Sequence, residues 1–158
     1  MSKLYLMCGV PGSGKTTYVK KHTTPNSVHV SRDLVRFSML GACDEYFAKE
    51  KEVFNKWIEE IQKYLDEEFD VYADATHLNK GSRNKTLSNL NLKNHEIHAI
   101  CLCTDKDICI SRNSLRTGRE HVPTDVITNM FNSYSIPYIG EAGWNYKTIT
   151  LVEGGNEY

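Results

Sequence analysis

One short segment near the N-terminus constrains the fold more than any other part of the 158-residue chain. An apolar run at residues 4–8 leads directly into residues 9–16, which read GVPGSGKT and match G-x-x-x-x-G-K-[ST] at every defined position. Glycines let the backbone curl so that successive amide groups can face phosphate oxygens. Such a loop needs a buried strand before it and a helix after it, so the segment predicts a strand–loop–helix unit that binds a triphosphate.

The chemistry of phosphate binding assigns a role to the last residues of this loop. Lys15 is expected to reach the β- and γ-phosphates, and the Thr16 hydroxyl is expected to bind Mg²⁺. The expected ATP-binding residues are Gly9, Pro11, Gly12, Ser13, Gly14, Lys15, Thr16 and Thr17. No N-K-x-D-type sequence for reading guanine follows a later strand, which favours ATP over GTP. The alternative is a glycine-rich turn that precedes a helix without binding a nucleotide.

Hydrophobic periodicity divides the rest of the chain into alternating strands and helices. The predicted strands are residues 4–8, 28–31, 71–74, 97–103 and 147–152. The predicted helices are residues 15–22, 33–41, 45–69, 82–92 and 105–115, with a last one from 123 to before 137; residues 153–158 are expected to form a polar tail. This alternation predicts a single α/β domain with a mainly parallel sheet and helices on both faces.

Charge and composition exclude several classes of protein. Lys and Arg number 19 against 20 Asp and Glu, so no basic field covers the whole fold and a polyanion must be held by a local cluster. No apolar run approaches the roughly 20 residues of a membrane span, and the N-terminal run is interpreted as a strand, not a targeting segment. Five cysteines without framework spacing fit a reducing compartment, so the expected location is cytoplasmic.

Two charged residues follow the second predicted strand. Asp33 would lie beside the phosphate loop, because the carboxyl ends of parallel strands share one edge of the sheet. There it could accept the proton of an attacking hydroxyl, or it could simply cap the next helix. Arg36 lies three residues on and could bind an acceptor phosphate with its forked guanidinium; the alternative is a surface arginine that is solvated or paired with an aspartate.

Further candidates follow the later strands. Asp74 ends the third strand, where it could orient Mg²⁺ through water or hold an arginine. Arg112, Arg116 and Arg119 precede or lie in a polar stretch that could close over the nucleotide as a lid at about residues 112–124. A solvated basic helix end is the alternative for these arginines.

Other conspicuous side chains have simpler interpretations. Trp57 lies on the apolar face of the long helix, together with Phe47, and is expected in the core. Trp144 and Tyr146 could stack on a base or pack against the last strand. Zinc binding by cysteines and histidines around the fourth strand is conceivable, but buried thiols are the favoured interpretation.

Several of these segments together resemble the kinase domain of bacteriophage polynucleotide 5′-hydroxyl kinases, members of the P-loop kinase superfamily. The resemblance extends from residue 8 to about residue 134 and is carried, in order, by CGVPGSGKTT, SRDLVR, DATHLN, RNSLR and VPTDV. It implies a P-loop NTPase and kinase-type fold with a short lid. This chain departs from the family pattern where Ala75 and His77 follow Asp74, and its lid is about one residue longer.

The resemblance also implies roles for individual residues. Lys15 and Thr16 would serve the triphosphate and the metal, and Asp33 would be the general base for the 5′-hydroxyl. Arg36 would bind the acceptor's 3′-phosphate, Asp74 would support the acceptor site, and Arg112 and Arg116 would contact the nucleotide, with Arg116 on the transferring phosphoryl group.

The implied reaction moves the γ-phosphate of ATP, with Mg²⁺, to a 5′-hydroxyl of a polynucleotide or 3′-nucleotide. A small-molecule or nucleoside kinase is the first alternative, because such enzymes use the same loop. A nucleotide-binding regulatory protein with weak ATPase activity is the second. The sequence does not indicate an oligomeric state.

Overall fold

A computed structural model describes residues 1–153, except for the side chain of Arg119. The rest of the polar tail predicted at 153–158 lies outside the described residues. The described chain forms one sheet in the order β2-β3-β1-β4-β5, and every neighbouring pair is parallel. The strands are β1 Lys3–Cys8, β2 Ser27–Ser31, β3 Asp70–Asp74, β4 Glu96–Leu102 and β5 Thr148–Val152. The predicted α/β class with a parallel sheet is therefore confirmed.

Helices cover both faces of this sheet. Along β1, Leu4 and Leu6 pack into the core layer that contains the long third helix, whereas Met7 packs with Val19 of the first helix on the other side. This period of two is the geometry of a strand buried on both faces. The helices are α1 Lys15–His22, α2 Arg32–Met39, α3 Glu50–Asp66, α4 Lys80–Ser88, α5 Lys106–Ser114 and α6 Thr124–Ser133, with short 3₁₀ turns at Gly118–Glu120 and Glu141–Gly143.

The long helix α3 is shorter at both ends than its periodicity predicts. It starts at Glu50 instead of residue 45, so Phe47, predicted on its apolar face, lies before the helix and is 63% exposed. At the other end Glu68 takes a left-handed φ of 65°, and the amide of Phe69 donates to the Tyr64 carbonyl at 3.0 Å. This closing pattern satisfies the last carbonyls and ends the helix before the predicted residue 69.

Helix α4 begins two residues before its predicted start. Asn79, expected in a turn, caps the helix instead. Its side chain accepts from the Ser82 amide at 3.0 Å, and the Ser82 hydroxyl accepts in turn from the Asn79 amide. Asparagine is a favoured cap because its carbonyl oxygen satisfies an amide of the first turn that has no partner within the helix.

A buried ion pair fastens the C-terminal segment to α4. Arg83 is fully buried, and its Nε and Nη2 donate to Glu141 at 2.8 Å each. Its Nη1 donates to the carbonyl oxygens of His77 and Ser135, so the charge is fully hydrogen-bonded, as a buried arginine requires. Tyr146 is also buried and donates to Glu141 at 3.3 Å.

The aromatic residues singled out in the sequence are structural. Trp57 is fully buried and donates to the Val30 carbonyl at 3.0 Å, which confirms its place in the core. Trp144 donates to Asn84 at 2.9 Å and packs against the same core as Tyr146, which is buried and has no face free for a base. No helix among the described residues is long and apolar enough to cross a membrane.

Candidate active site

The loop at residues 9–16 joins β1 to α1 and depends on glycine where the chain turns most tightly. Gly12 has a φ of 81°, and a Cβ at this position would lie 2.7 Å from the Cys109 carbonyl oxygen of α5. A side chain would therefore be strained and would also push α5 away. The close approach of backbone to backbone fixes the shape of the loop.

The amino end of α1 has the polarity that an anion requires. Gly14 precedes the helix in a left-handed conformation and offers no side chain to cap it, and the first turn contains no acidic residue. The first amides of α1 are thus open to an anion, and the helix dipole adds positive charge. Within the loop the buried Ser13 hydroxyl has no hydrogen-bond partner among the described residues. These features fit a bound phosphate group.

Lys15 places its ammonium group inside the curve of the loop. Its Nζ donates to the carbonyl oxygens of Gly9 at 2.7 Å and Val10 at 3.2 Å. Burial lowers the pKa of Lys15, while the charges of Asp74 and Asp33 act in the opposite direction. The loop therefore holds a cation that lies within electrostatic range of both carboxylates.

Asp74, at the end of β3, lies next to Thr16. The Thr16 hydroxyl donates to Asp74 Oδ2 at 3.3 Å, and His29 Nε2 of β2 lies 2.8 Å from the same oxygen. Burial alone would raise the pKa of Asp74, but the hydrogen bond from His29 and the charge of Lys15 outweigh it and lower the pKa. The carboxylate thus stays ionised at neutral pH.

This pair of oxygen groups fits Mg²⁺ better than zinc. A hydroxyl and a carboxylate beside a phosphate site match the few protein ligands that Mg²⁺ takes, the rest being water and phosphate oxygens. Among the described residues no group of three or more His, Cys, Asp or Glu side chains could hold a metal ion.

Asp33 lies in the first turn of α2 but does not cap it. Ser31 is the cap, and its hydroxyl accepts from the Leu34 amide at 3.3 Å. The Asp33 side chain is 58% exposed and accepts a hydrogen bond from Tyr46 at 2.7 Å and another from Arg36. The capping alternative for Asp33 is therefore wrong, and its carboxylate faces outward at the strand ends.

Arg36 is buried and not solvated, but it pairs with Asp33, as the alternative of an Asp-paired arginine expected. Only 5% of it is exposed, and its Nε and Nη2 donate to Glu50 at 3.0 Å and 2.6 Å. Its Nη1 donates to Tyr46 at 2.8 Å as well as to Asp33. The guanidinium thus holds two carboxylates and a phenol in one cluster at the start of α2 and α3.

Two of the predicted lid arginines, Arg112 and Arg116, lie at the end of α5 and just beyond it. Arg112, near the end of α5, donates to the Gly12 carbonyl at 3.0 Å. Arg116 lies just beyond α5 and is close enough for its charge to lower the pKa of Lys15. Asn113 braces the following segment, because its side chain pairs with both the amide and the carbonyl of Val122. The side chain of Arg119 lies outside the described part of the chain.

His77, which departs from the family pattern, has a structural role. It is buried with a φ of 41°, its Nδ1 lies 2.7 Å from the Met7 carbonyl and its Nε2 lies 2.9 Å from the Thr86 hydroxyl. Burial lowers its pKa to about 4, so the ring is neutral at neutral pH. The ring joins β1 to α4, and the carbonyl of neighbouring Thr76 accepts from the Gly9 amide at 2.9 Å.

Three residues of this site were not found from the sequence. His29, Tyr46 and Glu50 each contact a predicted residue, at separations of 45, 13 and 14 positions. Only the order of strands in the sheet, which places β2 beside β3, brings His29 to Asp74. The turn that replaces the start of the predicted long helix brings Tyr46 to Asp33.

Solved structures with the same fold include proteins of several activities. A chain of the Pnkp1/Rnl/Hen1 RNA repair complex is 23% identical, with a TM-score of 0.70, over 84% of this chain and 43% of that chain. Kti12 of Chaetomium thermophilum, solved with ADP-AlF3, is 15% identical with a TM-score of 0.66, over 95% of this chain and 88% of its own. A gluconokinase of Sinorhizobium meliloti 1021 is 16% identical with a TM-score of 0.57, over 96% and 82%.

These identities establish a shared fold, and the chain spans less than half the length of the RNA repair chain. A comparison with curated protein sequences finds no match. A sequence profile described as an AAA domain matches residues 4–137, which cover the phosphate loop and the candidate residues from Gly9 to Arg119. The protein belongs to this AAA domain family.

Proposed function

We propose that the protein is an ATP-dependent kinase that transfers the γ-phosphate to the 5′-hydroxyl of a polynucleotide or 3′-nucleotide. One observation carries the proposal: the carboxyl ends of β1, β3 and β2 are neighbours, and they present Lys15 and Thr16, then Asp74, then Asp33. A cationic triphosphate loop and a solvent-facing carboxylate thus share one edge of the sheet. Kinase and ADP-bound structures among those of the same fold support this assignment.

Each residue has a defined part in the proposed transfer. Asp33 takes the proton of the acceptor hydroxyl while the oxygen of that hydroxyl attacks the γ-phosphorus. The bond from the γ-phosphorus to the bridging oxygen breaks, and ADP leaves with that oxygen. Lys15 and Arg116 stabilise the charge that develops on the phosphoryl oxygens. Mg²⁺, held by Thr16 and through water by Asp74, would neutralise charge on the β- and γ-phosphates.

The choice of a nucleic acid acceptor rests on the acceptor side of the site. The segment that carries Asp33 and Arg36 resembles polynucleotide 5′-hydroxyl kinases, and a chain of an RNA repair complex has the same fold. In this proposal Arg36 exchanges part of its contact with Tyr46 or Glu50 for the acceptor's 3′-phosphate. Charge-assisted forked bonds of this kind are strong enough to select such a phosphate.

A small-molecule kinase is the second candidate. The engagement of Arg36 with Glu50 and Asp33 favours it, because a guanidinium already satisfied in this way has no need of an acceptor phosphate. The gluconokinase of the same fold shows that the fold accommodates such acceptors.

A panel of acceptors separates these candidates. Labelled γ-phosphate from ATP is offered to 5′-hydroxyl oligonucleotides, 3′-nucleotides, the matching nucleosides and sugars. The proposed kinase uses a 3′-nucleotide far better than the nucleoside. Equal use of both, or a preference for sugars, would assign the protein to the small-molecule kinases.

Arg36→Ala tests the acceptor contact directly. The preference for 3′-nucleotide over nucleoside, measured as a ratio of kcat/KM, is expected to fall by about ten- to a hundredfold, because one charge-assisted contact is lost. The KM for ATP should not change. Because the variant leaves Glu50 without its buried partner and lowers stability, the ratio is the proper readout: it does not depend on the folded fraction. A ratio equal to that of the wild type would exclude Arg36 from the acceptor site.

Arg116→Lys tests the arginine beyond α5. Lysine keeps the charge but loses the planar fork, so kcat is expected to fall more than ATP binding weakens, since the contact is proposed to strengthen in the transition state. Single-turnover rates and ATP affinity would be measured together. If kcat stays at the wild-type value, Arg116 is a solvated charge and Arg112 becomes the candidate.

The proposal includes a reducing, cytoplasmic location. All five cysteines are free thiols, and Cys8, Cys101 and Cys109 are buried. Buried thiols act as small apolar side chains and need no oxidising compartment.

A further inference from the structure

A groove between α3 and α4 opens beside the acceptor side of the site. Its volume of about 470 Å³ is that of an ordinary ligand cleft. Lysine, arginine and asparagine side chains surround one aromatic ring. The lining residues are Arg32, Glu50, Lys51, Phe54, Asn55, Lys85 and Asn89.

The cations of this groove outnumber its carboxylates. Glu50 is its one acidic lining residue, and it already pairs with Arg36 at 2.6 Å and with Arg32 at 3.3 Å. In the described part of the chain no carboxylate forms an ion pair with Lys51 or Lys85, and both side chains are exposed. The groove is thus a local positive site on a chain whose net charge is −1.

Two of the cations are arranged around Phe54. Lys85 Nζ lies 4.5 Å from the centre of its ring and Arg32 Cζ lies 5.3 Å from it, while the ring itself is almost fully buried. The buried Arg32 Nε has no hydrogen-bond partner among the described residues. Contact with the ring orders these long side chains at the edge of the groove.

A short chain of ion pairs links the groove to the proposed base, Asp33. Arg32 directly precedes Asp33, and Glu50 joins Arg32 to Arg36, which in turn contacts Asp33. An acceptor whose 5′-hydroxyl lies at Asp33 and whose first phosphate lies at Arg36 would therefore continue toward Lys51 and Lys85.

We infer that this groove binds the backbone phosphates of a single-stranded acceptor beyond its first nucleotide, so that a polynucleotide is a better substrate than a mononucleotide. The inference rests on the proposed 5′-hydroxyl kinase activity. Two ammonium groups suit phosphodiester oxygens, and Asn55 and Asn89 offer amide donors for the same oxygens or for sugar hydroxyls. A local cluster of this kind also explains how a chain without a basic field binds a polyanion.

The test compares acceptors that differ only in length. Wild-type kcat/KM is measured for a 3′-nucleotide and for a 5′-hydroxyl tetranucleotide, and the ratio of the two gives the advantage of length. In Lys51→Ala/Lys85→Ala this ratio is expected to fall on the order of tenfold, and the slope of log Kd for the tetranucleotide against log salt is expected to fall by about 1.4, because two phosphate contacts are lost. Fluorescence anisotropy supplies Kd without relying on turnover.

Two matched variants isolate the groove. Lys56→Ala removes an exposed lysine from the same helix α3 but outside the groove, and it should keep both ratio and slope. Lys51→Arg/Lys85→Arg preserves the charge and should keep most of the slope.

The possible outcomes distinguish a failure of the groove assignment from a failure of the proposed kinase activity. The groove assignment is overturned if the wild type uses a tetranucleotide no better than a 3′-nucleotide, or if Lys51→Ala/Lys85→Ala leaves the salt slope unchanged. In either case, transfer to the 3′-nucleotide would still support the proposed kinase activity. If the wild type phosphorylates no 5′-hydroxyl acceptor but does phosphorylate sugars, the proposed function fails and the groove assignment fails with it.

Discussion

Lys15→Ala is expected to abolish phosphate transfer, with a loss of at least about 10³-fold in kcat/KM. Lys15 is the cation inside the loop, and its removal leaves the charge that develops on the β- and γ-phosphates without this partner. The measurement is transfer of labelled γ-phosphate to the best acceptor of the panel, together with ATP affinity by calorimetry.

The structure indicates which control this variant needs. Lys15 Nζ also donates to the carbonyl oxygens of Gly9 and Val10, so its removal can loosen the loop as well as remove its positive charge. Lys20→Ala removes an exposed lysine from the same helix α1 and should leave transfer unchanged. Near-normal turnover in a folded Lys15→Ala protein would show that the loop is a glycine-rich turn and not a nucleotide site.

The elements around the loop could be predicted closely because the motif fixes them. The helix predicted from Lys15 to His22 occupies those residues, and the strand before the loop was predicted to within one residue. The spacing of glycines, lysine and threonine allows little choice of conformation there. The long helix was predicted less well, because residues 45–49 continue its amphipathic pattern but form turns that carry Tyr46 to Asp33.

The candidate site could be predicted only as far as local rules reach. Lys15 and Thr16 follow from a motif, and Asp33 and Asp74 follow from the rule that parallel strands end at one edge of the sheet. Glu50 illustrates where this reasoning ends. A glutamate in the first turn of a helix is explained by the helix dipole alone, so nothing in the sequence indicates its bond to Arg36.

Arg36 shows the same limit of local rules, because its position was predicted but its burial and its pairing with Glu50 were not. Its type and position indicated an anion-binding residue, and the structure places it near Asp33 as expected. Its burial and its pairing with Glu50 depend on how α2 packs against α3, which a pattern three residues long does not encode. The proposed acceptor phosphate must therefore compete with a carboxylate of the same protein.

Asp33→Asn is expected to lower kcat by about 10²–10⁴-fold while ATP affinity changes little. Asparagine keeps the size of the side chain and can still accept the hydrogen bond from Tyr46, but it cannot take the proton of the acceptor hydroxyl. Because the side chain is 58% exposed and does not cap α2, the free energy of unfolding should change only slightly.

Ser31→Ala provides the converse control for Asp33→Asn. It removes the actual cap of α2 and should lower the free energy of unfolding by about 0.5–2 kcal/mol with no loss of kcat in the folded protein. Single-turnover transfer rates and chemical denaturation would be measured on both variants. If Asp33→Asn instead lost stability and kept its full rate, Asp33 would be a structural residue, and the proton would have to leave the acceptor by another group.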